Sequence, residues 1–358
     1  PHCLGRLKLQ LRANGSLGVI KWSGYRKEGA NIFRISFTGD WAPEGCPTNP
    51  FDLGTTTVLN LEGPVIPWDS STLLAKARKV GPHMFNETLP ASDHRLVLSL
   101  ANNHVMDFGN IGLEKTFDAI SRSKALAVGA GKSRRHATAP LVLEENGVKL
   151  GILARTERQF GGASEDSPGV AELDPDIYQA ISSLKKEVDH VALLIHGGAE
   201  LVPWPSPGRQ KQWRSYVEGG ASIVVGNHSH VPSAWEELEK GVIFYGLGNF
   251  SVNPKKWAWH PQGLWSIVPQ LQLTKNDIHL EIRTSVVEER EQSLELRWST
   301  DCELEAHLRF LDEINSAIAG PDVLNAIWQQ ASVMLYERHF AGWLGFRVTP
   351  TTMCKRSL

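Results

Sequence analysis

The stretch that most constrains this chain is residues 95–109, where the short apolar run Leu96-Val97-Leu98-Ser99-Leu100 stops at Ala101-Asn102-Asn103-His104 and helical spacing sets in from Gly112 to Ile120. A brief run rich in branched residues reads as a buried strand, and the spacing after it as an amphipathic helix. Two amides (Asn102 and Asn103), an imidazole (His104) and a carboxylate (Asp107) therefore meet at the C-terminal end of a strand. In open α/β sheets that edge is where ligands bind, so the stretch points to chemistry rather than packing. The design recurs. Residues 222–225 run into Gly226-Asn227-His228-Ser229-His230, and residues 191–195 end at His196-Gly197-Gly198. Residues 32–38 alternate and are read as breaking at Gly39-Asp40, which delivers a carboxylate to a loop; residues 57–61 end at Glu62-Gly63-Pro64.

At 358 residues the chain can bury a large core. Residues 1–30 form an N-terminal extension or hairpin, residues 31–270 the main domain, and residues 271–358 C-terminal strands and a helical tail packed on the same domain. Within the main domain, residues 72–92 read as loop and helix, and Glu145-Asn146-Gly147 as a tight hairpin between strands at 140–143 and 148–153. Helices are expected at 175–186 and 210–218. Further strands follow at 242–245, 267–273 and 279–285, and the helical tail spans roughly 303–337.

The 37 basic and 39 acidic residues nearly cancel, which argues against wholesale binding of nucleic acid or a membrane surface. An anionic small-molecule or polymer substrate is the expected partner, with the oligomeric state left open. No apolar run is long enough to span a bilayer. The four cysteines, Cys3, Cys46, Cys302 and Cys354, lie far apart and read as free thiols in a reducing compartment; together with the lack of a signal-like start this gives a cytoplasmic expectation.

Collected, the strand tips offer Asp40, Glu62, Asn103, His104, His196, His228 and His230. Carboxylates and one amide mixed with imidazoles suit Zn, Mn, Fe, Co or Ni rather than calcium. His228 and His230, two apart on extended backbone, would point the same way. Two ions sharing a carboxylate suit in-line hydrolysis of an ester. Around them, Asn102, Glu200, Arg209, Trp41 and Asn249 are candidate substrate contacts. An arginine there can clamp a phosphate or carboxylate, and indoles at Trp41, Trp204, Trp235, Trp257 and Trp259 offer faces on which sugar rings stack.

The ordered motifs Gly39-Asp40, Asn60-Leu61-Glu62, Ala101-Asn102-Asn103-His104 with Asp107 and Gly109, His196-x-Gly198 with Glu200, Gly226-x-His228-x-His230 and Tyr245-x-Leu247-Gly248-Asn249-Phe250 resemble those of the CapA family, bacterial capsule and poly-γ-glutamate synthesis proteins. That family is in turn similar to the calcineurin-like metallophosphoesterases. The resemblance implies an α/β fold, a four-layer αββα sandwich of two mixed β-sheets, with one or two divalent ions (Mn, Fe or Zn) at the strand ends. It implies Asp40 as a first-metal carboxylate with His230, Glu62 as the bridge, and Asn103, His196 and His228 on the second metal. His104 becomes the general acid or transition-state donor, with Asp107 as its catalytic companion. The phosphoesterases open with Asp-x-His, whereas here Ala42 takes the histidine place and Glu62 replaces a shorter aspartate. The activity implied is metal-dependent hydrolysis in capsule or poly-γ-glutamate metabolism. The alternative is a non-hydrolytic accessory protein that binds metal or polymer.

Overall fold

The structure, a computed structural model, describes residues 7–11, 17–21, 31–42, 53–66, 89, 94–158, 161–291 and 293–344. The loop and helix expected at 72–92 fall outside the described residues except for Leu89, as do Cys3, Cys46 and Cys354. An antiparallel hairpin, β1 (Leu7–Leu11) and β2 (Leu17–Lys21), precedes the main body.

The main body is built on two sheets. The larger contains β3 (Phe33–Ala42), β4 (Thr56–Leu61), β5 (Leu96–Ser99) and β6 (Leu126–Val128) in parallel, continued past β3 by antiparallel strands whose ranges follow. A two-residue pair, β7 (Ala130–Gly131) and β10 (Gly169–Val170), lies apart from both sheets. The smaller sheet joins β8 (Leu141–Glu145), β9 (Val148–Thr156), β11 (His190–His196), β12 (Ile223–Asn227), β13 (Trp235–Leu238) and β14 (Gly241–Phe244) in the order β13-β14-β12-β11-β9-β8. The larger is completed by β15 (Asn249–Val252), β16 (Trp265–Leu273), β17 (Ile278–Arg290) and β18 (Ser293–Trp298). In each sheet the parallel strands lie beside antiparallel ones, so both are mixed.

Alternation places the core. Phe33, Ile35, Phe37, Val58 and Val97 of one sheet meet Leu150, Ile152, Ala192, Leu194, Val225 and Phe244 of the other in a single apolar layer. The opposite face of the larger sheet is covered by α1 (Gly109–Arg122) through Leu113, Ala119 and Ile120. A five-residue helix, α2 (Arg134–Thr138), lies beside the β7 and β10 pair. The outer face of the smaller sheet carries α3 (Ile177–Leu184) and α4 (Pro207–Glu218), and the short α5 (Pro254–Trp257) follows β15. The tail is two helices, α6 (Asp301–Ile318) and α7 (Pro321–Leu344), rather than one, because Gly320-Pro321 ends the first and starts the second. Their residues Ile314, Ile318 and Leu324 pack on the same outer face. The result is the expected αββα sandwich. Among the described residues no helix is long and apolar enough to cross a membrane.

One local expectation fails for a physical reason. The strand through residues 32–38 does not break at Gly39-Asp40 but runs on to Ala42, because β15 pairs with it in parallel, Asn249 opposite Asp40. Gly39 permits this: a Cβ there would sit 1.8 Å from the Gly248 carbonyl oxygen. The strand β18 and the pair β7 and β10 were not foreseen, since Ser293-Leu294-Glu295-Leu296 is half polar and two-residue strands leave no period to read. The hairpin at Asn146-Gly147 does form, with φ of 52° and 75° at the two turn positions.

Candidate metal centre

Four parallel strands deliver the centre, two from each sheet. Asp40 lies near the end of β3, Glu62 directly follows β4, His196 ends β11, and His228 directly follows β12. The loop between β5 and α1 adds Asn103, His104 and Asp107. This is the C-terminal edge of both parallel sets, brought to one point because the sheets are stacked face to face.

Two groups of ligand-type atoms each fall within 4.8 Å of one another: Asp40, Glu62 and His196, and Glu62, His228 and His230. Glu62 belongs to both. It is fully buried, and neither Oε1 nor Oε2 has a hydrogen-bond partner among the described residues; His196 Nε2 and His230 Nε2 stand off at 3.5 and 3.7 Å. A carboxylate so placed, with the buried Asp40 beside it, calls for a cation. The donor set of two carboxylates and three imidazoles, with the Asn103 amide oxygen alongside, fits a Mn, Fe or Zn ion.

The neighbours fix these ligands in place. Asn60 Nδ2 donates to Asp40 Oδ1 at 2.7 Å and lies 3.2 Å from His196 Nδ1, while His196 Nε2 lies 2.9 Å from Asn103 Oδ1, so both ring nitrogens are held in place. The His228 backbone N–H donates to Asp40 Oδ2 at 3.2 Å. His230 Nδ1 lies 3.0 Å from Asn249 Oδ1 and 3.3 Å from Asp40 Oδ2. His104 Nδ1 meets Asp107 Oδ2 at 3.1 Å, and neither residue belongs to the two ligand groups.

His228 and His230 converge by a route other than the expected one. The strand ends at Asn227, and the two histidines have φ of 93° and 57°, so a left-handed turn rather than strand alternation brings their rings to 6.0 Å. Such angles are unfavourable for a residue bearing a Cβ and persist where the surroundings impose them.

Charge in the metal-free centre is frustrated. Burial and the adjacent Asp40 hold the Glu62 carboxyl well above the usual carboxylate range. Burial and the neighbouring His230 push His228 down to about 3, and burial with His228 nearby keeps His196 neutral as well. Burial alone would lower His230 too, but Glu62 and Asp40 outweigh it and raise it to about 10. A group raised in the folded state stabilises fully below its unfolded value of 6.5 and loses that contribution as pH climbs through its folded value. Metal-free protein is therefore expected to lose a few kcal/mol of stability between pH 6.5 and 10, and His230→Gln to flatten that limb. Chemical denaturation in chelator across that range checks it; equal slopes would contradict the assignment.

The expected substrate contacts are placed differently. Asn102 is fully buried, its Nδ2 donating to Leu61 O and its Oδ1 accepting from the backbone N–H groups of His104 and Val105; it builds the loop. Trp41 is 4 % exposed and packs in the core with Leu59, Leu61 and Phe250. Asn249 is buried, with Nδ2 on Gly263 O, and holds His230. Arg209 pairs with Glu157 instead of standing open. Glu200 is exposed and lies 3.9 Å from His228 Nε2, so it alone of the five is placed at the rim. Sequence reasoning missed Asn60 and Glu157 as positioning residues. Asn60 sits two before Glu62, on the same strand-tip motif, and was legible there. Glu157 accepts from Gly198 N at 3.1 Å, joining the loops that follow the paired strands β9 and β11, a contact between residues 41 apart in sequence that leaves no local signal.

Residues 50–254 match the bacterial capsule synthesis protein family (PGA_cap), more than half of the chain. The chain belongs to that family. Relatives within reach of the same match include the capsule biosynthesis protein CapA of Bacillus anthracis, 31% identical over 200 residues, 53% of this chain and 49% of that protein. The PGA biosynthesis protein CapA of Bacillus subtilis is 37% identical over 158 residues, 43% of this chain and 42% of that one. A probable polyglutamine synthesis accessory protein of Mycobacterium tuberculosis is 28% identical over 167 residues, 43% of this chain and 44% of that one. The chain thus spans less than half the length of each relative. The family match takes in Glu62, the Asn102-Asn103-His104 loop and all three ligand histidines, and stops short of the strands β16 to β18 and the tail helices.

Proposed function

We propose that this family member is a metal-dependent hydrolase acting in capsular or poly-γ-glutamate polymer metabolism, on a phosphoester or γ-glutamyl bond of an anionic substrate. The observation that carries the reading is Glu62: a buried, unpartnered carboxylate shared by two converging ligand groups. Asp40, Glu62 and His196 would hold one ion, and Glu62, His228 and His230 a second, with Asn103 beside His196; this grouping differs from the one the resemblance implies, in which His230 joins Asp40 and His228 joins His196. When bound, a divalent ion supplies Lewis-acid polarisation and makes water a stronger nucleophile near neutral pH.

The chain's own residues do the rest. His104, held against Asp107, would give a proton to the leaving oxygen. Asn60 and Asn249 keep the imidazoles aimed, and the apolar layer between the sheets excludes water from below the centre. A second reading, a non-hydrolytic accessory role that retains metal or polymer binding, draws on the wording of the mycobacterial relative's name.

Elemental analysis of protein purified without added metal tests the first step. Near-stoichiometric Mn, Fe or Zn is expected in the wild type and at least a tenfold lower content in His228→Ala plus His230→Ala. No metal in the wild type, even after reconstitution, overturns the reading. Turnover of phosphoester or γ-glutamyl probes that vanishes in folded His228→Ala separates hydrolase from accessory; metal and polymer binding without turnover would favour the latter.

A further inference from the structure

An aromatic shelf leads away from the centre and takes no part in the roles above. The Trp257 ring packs on His230 with centroids 5.2 Å apart, and Trp259 lies nearly parallel to Trp257, 6.1 Å away at 16°. His260 stands at 82° to Trp259, 5.2 Å from it. Trp259 remains 50% exposed, although burying an indole is among the larger gains open to a chain.

The shelf is fixed relative to the centre. The amide of Asn249 that takes His230 Nδ1 on its oxygen donates from its nitrogen to Gly263 O at 3.0 Å, so one side chain holds both a ligand and the shelf's far end. Gly263 packs so closely that a Cβ would lie 2.3 Å from Trp257 Cε3. His260 N and Gly263 N close the segment on Trp257 O and His260 O.

We infer that this shelf is a subsite for a pyranose ring, so that the molecule brought to the Glu62 centre is sugar-bearing. A pyranose has an apolar C–H face to lie on an indole and hydroxyls at its rim to meet a ring set at right angles, which is the pairing that Trp259 and His260 present. A glutamyl chain has no ring to cover an indole face. Sugar binding stands on the shelf alone; only the place of the reacting bond rests on the hydrolase reading.

Calorimetric titration of the metal-free full chain with hexaoses of glucose, galactose and N-acetylglucosamine tests it, with adenosine and a γ-glutamyl hexamer as comparators. At least one hexaose should bind, weaken about tenfold in Trp259→Ala and recover in Trp259→Tyr. The inference is overturned if no hexaose binds, if Trp259→Ala leaves the affinity unaltered, or if adenosine or the glutamyl hexamer shows the Trp259 dependence in place of the sugars. Absent turnover with intact sugar binding would instead count against the hydrolase reading, so the two failures are distinguishable.

Discussion

Glu62→Gln protein is expected to bind no divalent ion at either position, whereas His196→Ala and His228→Ala each weaken one group. Glu62 is the only residue common to both ligand sets, and glutamine keeps its shape while removing the charge. Loss of a mere supporting partner around a metal lowers affinity by about 10–100-fold, so loss of the shared ligand should exceed that. Metal titration measures the effect. A variant that still binds near-stoichiometric metal would refute this assignment of Glu62.

The second large effect is on chemistry alone. His104→Ala should lower turnover by about 10²–10⁴-fold, the usual worth of a positioned general acid, while metal content stays at the wild-type level. The separation is possible because His104 lies outside both ligand groups and touches Asp107 instead. Asp107→Asn should cost less, since it only orients the imidazole. If His104→Ala lost metal in step with activity, the residue would be holding the loop rather than moving a proton.

Much of this was readable from the chain because strands that end in polar tips are locally encoded. The apolar runs at 96–98, 191–195 and 223–225 are buried strands as expected, and Asp40, Glu62, His196, His228 and His230 converge. What misled was local logic applied to contacts made across the fold. Gly39-Asp40 reads as a strand end, yet the strand continues because β15, far along the chain, pairs with it. Arg209 reads as an open clamp, yet Glu157 from the loop after β9 has taken it. Trp41 and Asn102 sit next to ligands in sequence but point their polar or apolar bulk into packing and loop hydrogen bonds. Adjacency to a motif therefore predicted neighbourhood, and the fold decided the role. The His228 and His230 pair converged for a reason the sequence period does not contain, a left-handed turn.

The two sheets contribute equal shares of the centre, Asp40 and Glu62 from one, His196 and His228 from the other, and otherwise meet largely through an apolar layer, with hydrogen bonds such as His190 Nε2 to Thr274 O and Asn146 Nδ2 to Ile32 O at its edge. On the proposed function, an ion held between them would act as a rivet at one end of the sandwich. Side chains packed by shape alone permit small sliding of one layer on the other, while fixed ligand distances do not. Occupancy would thus set mechanical register as well as reactivity. Ions binding only the aligned state deepen that state by mass action, so the stiffness of the whole body follows the availability of metal around it.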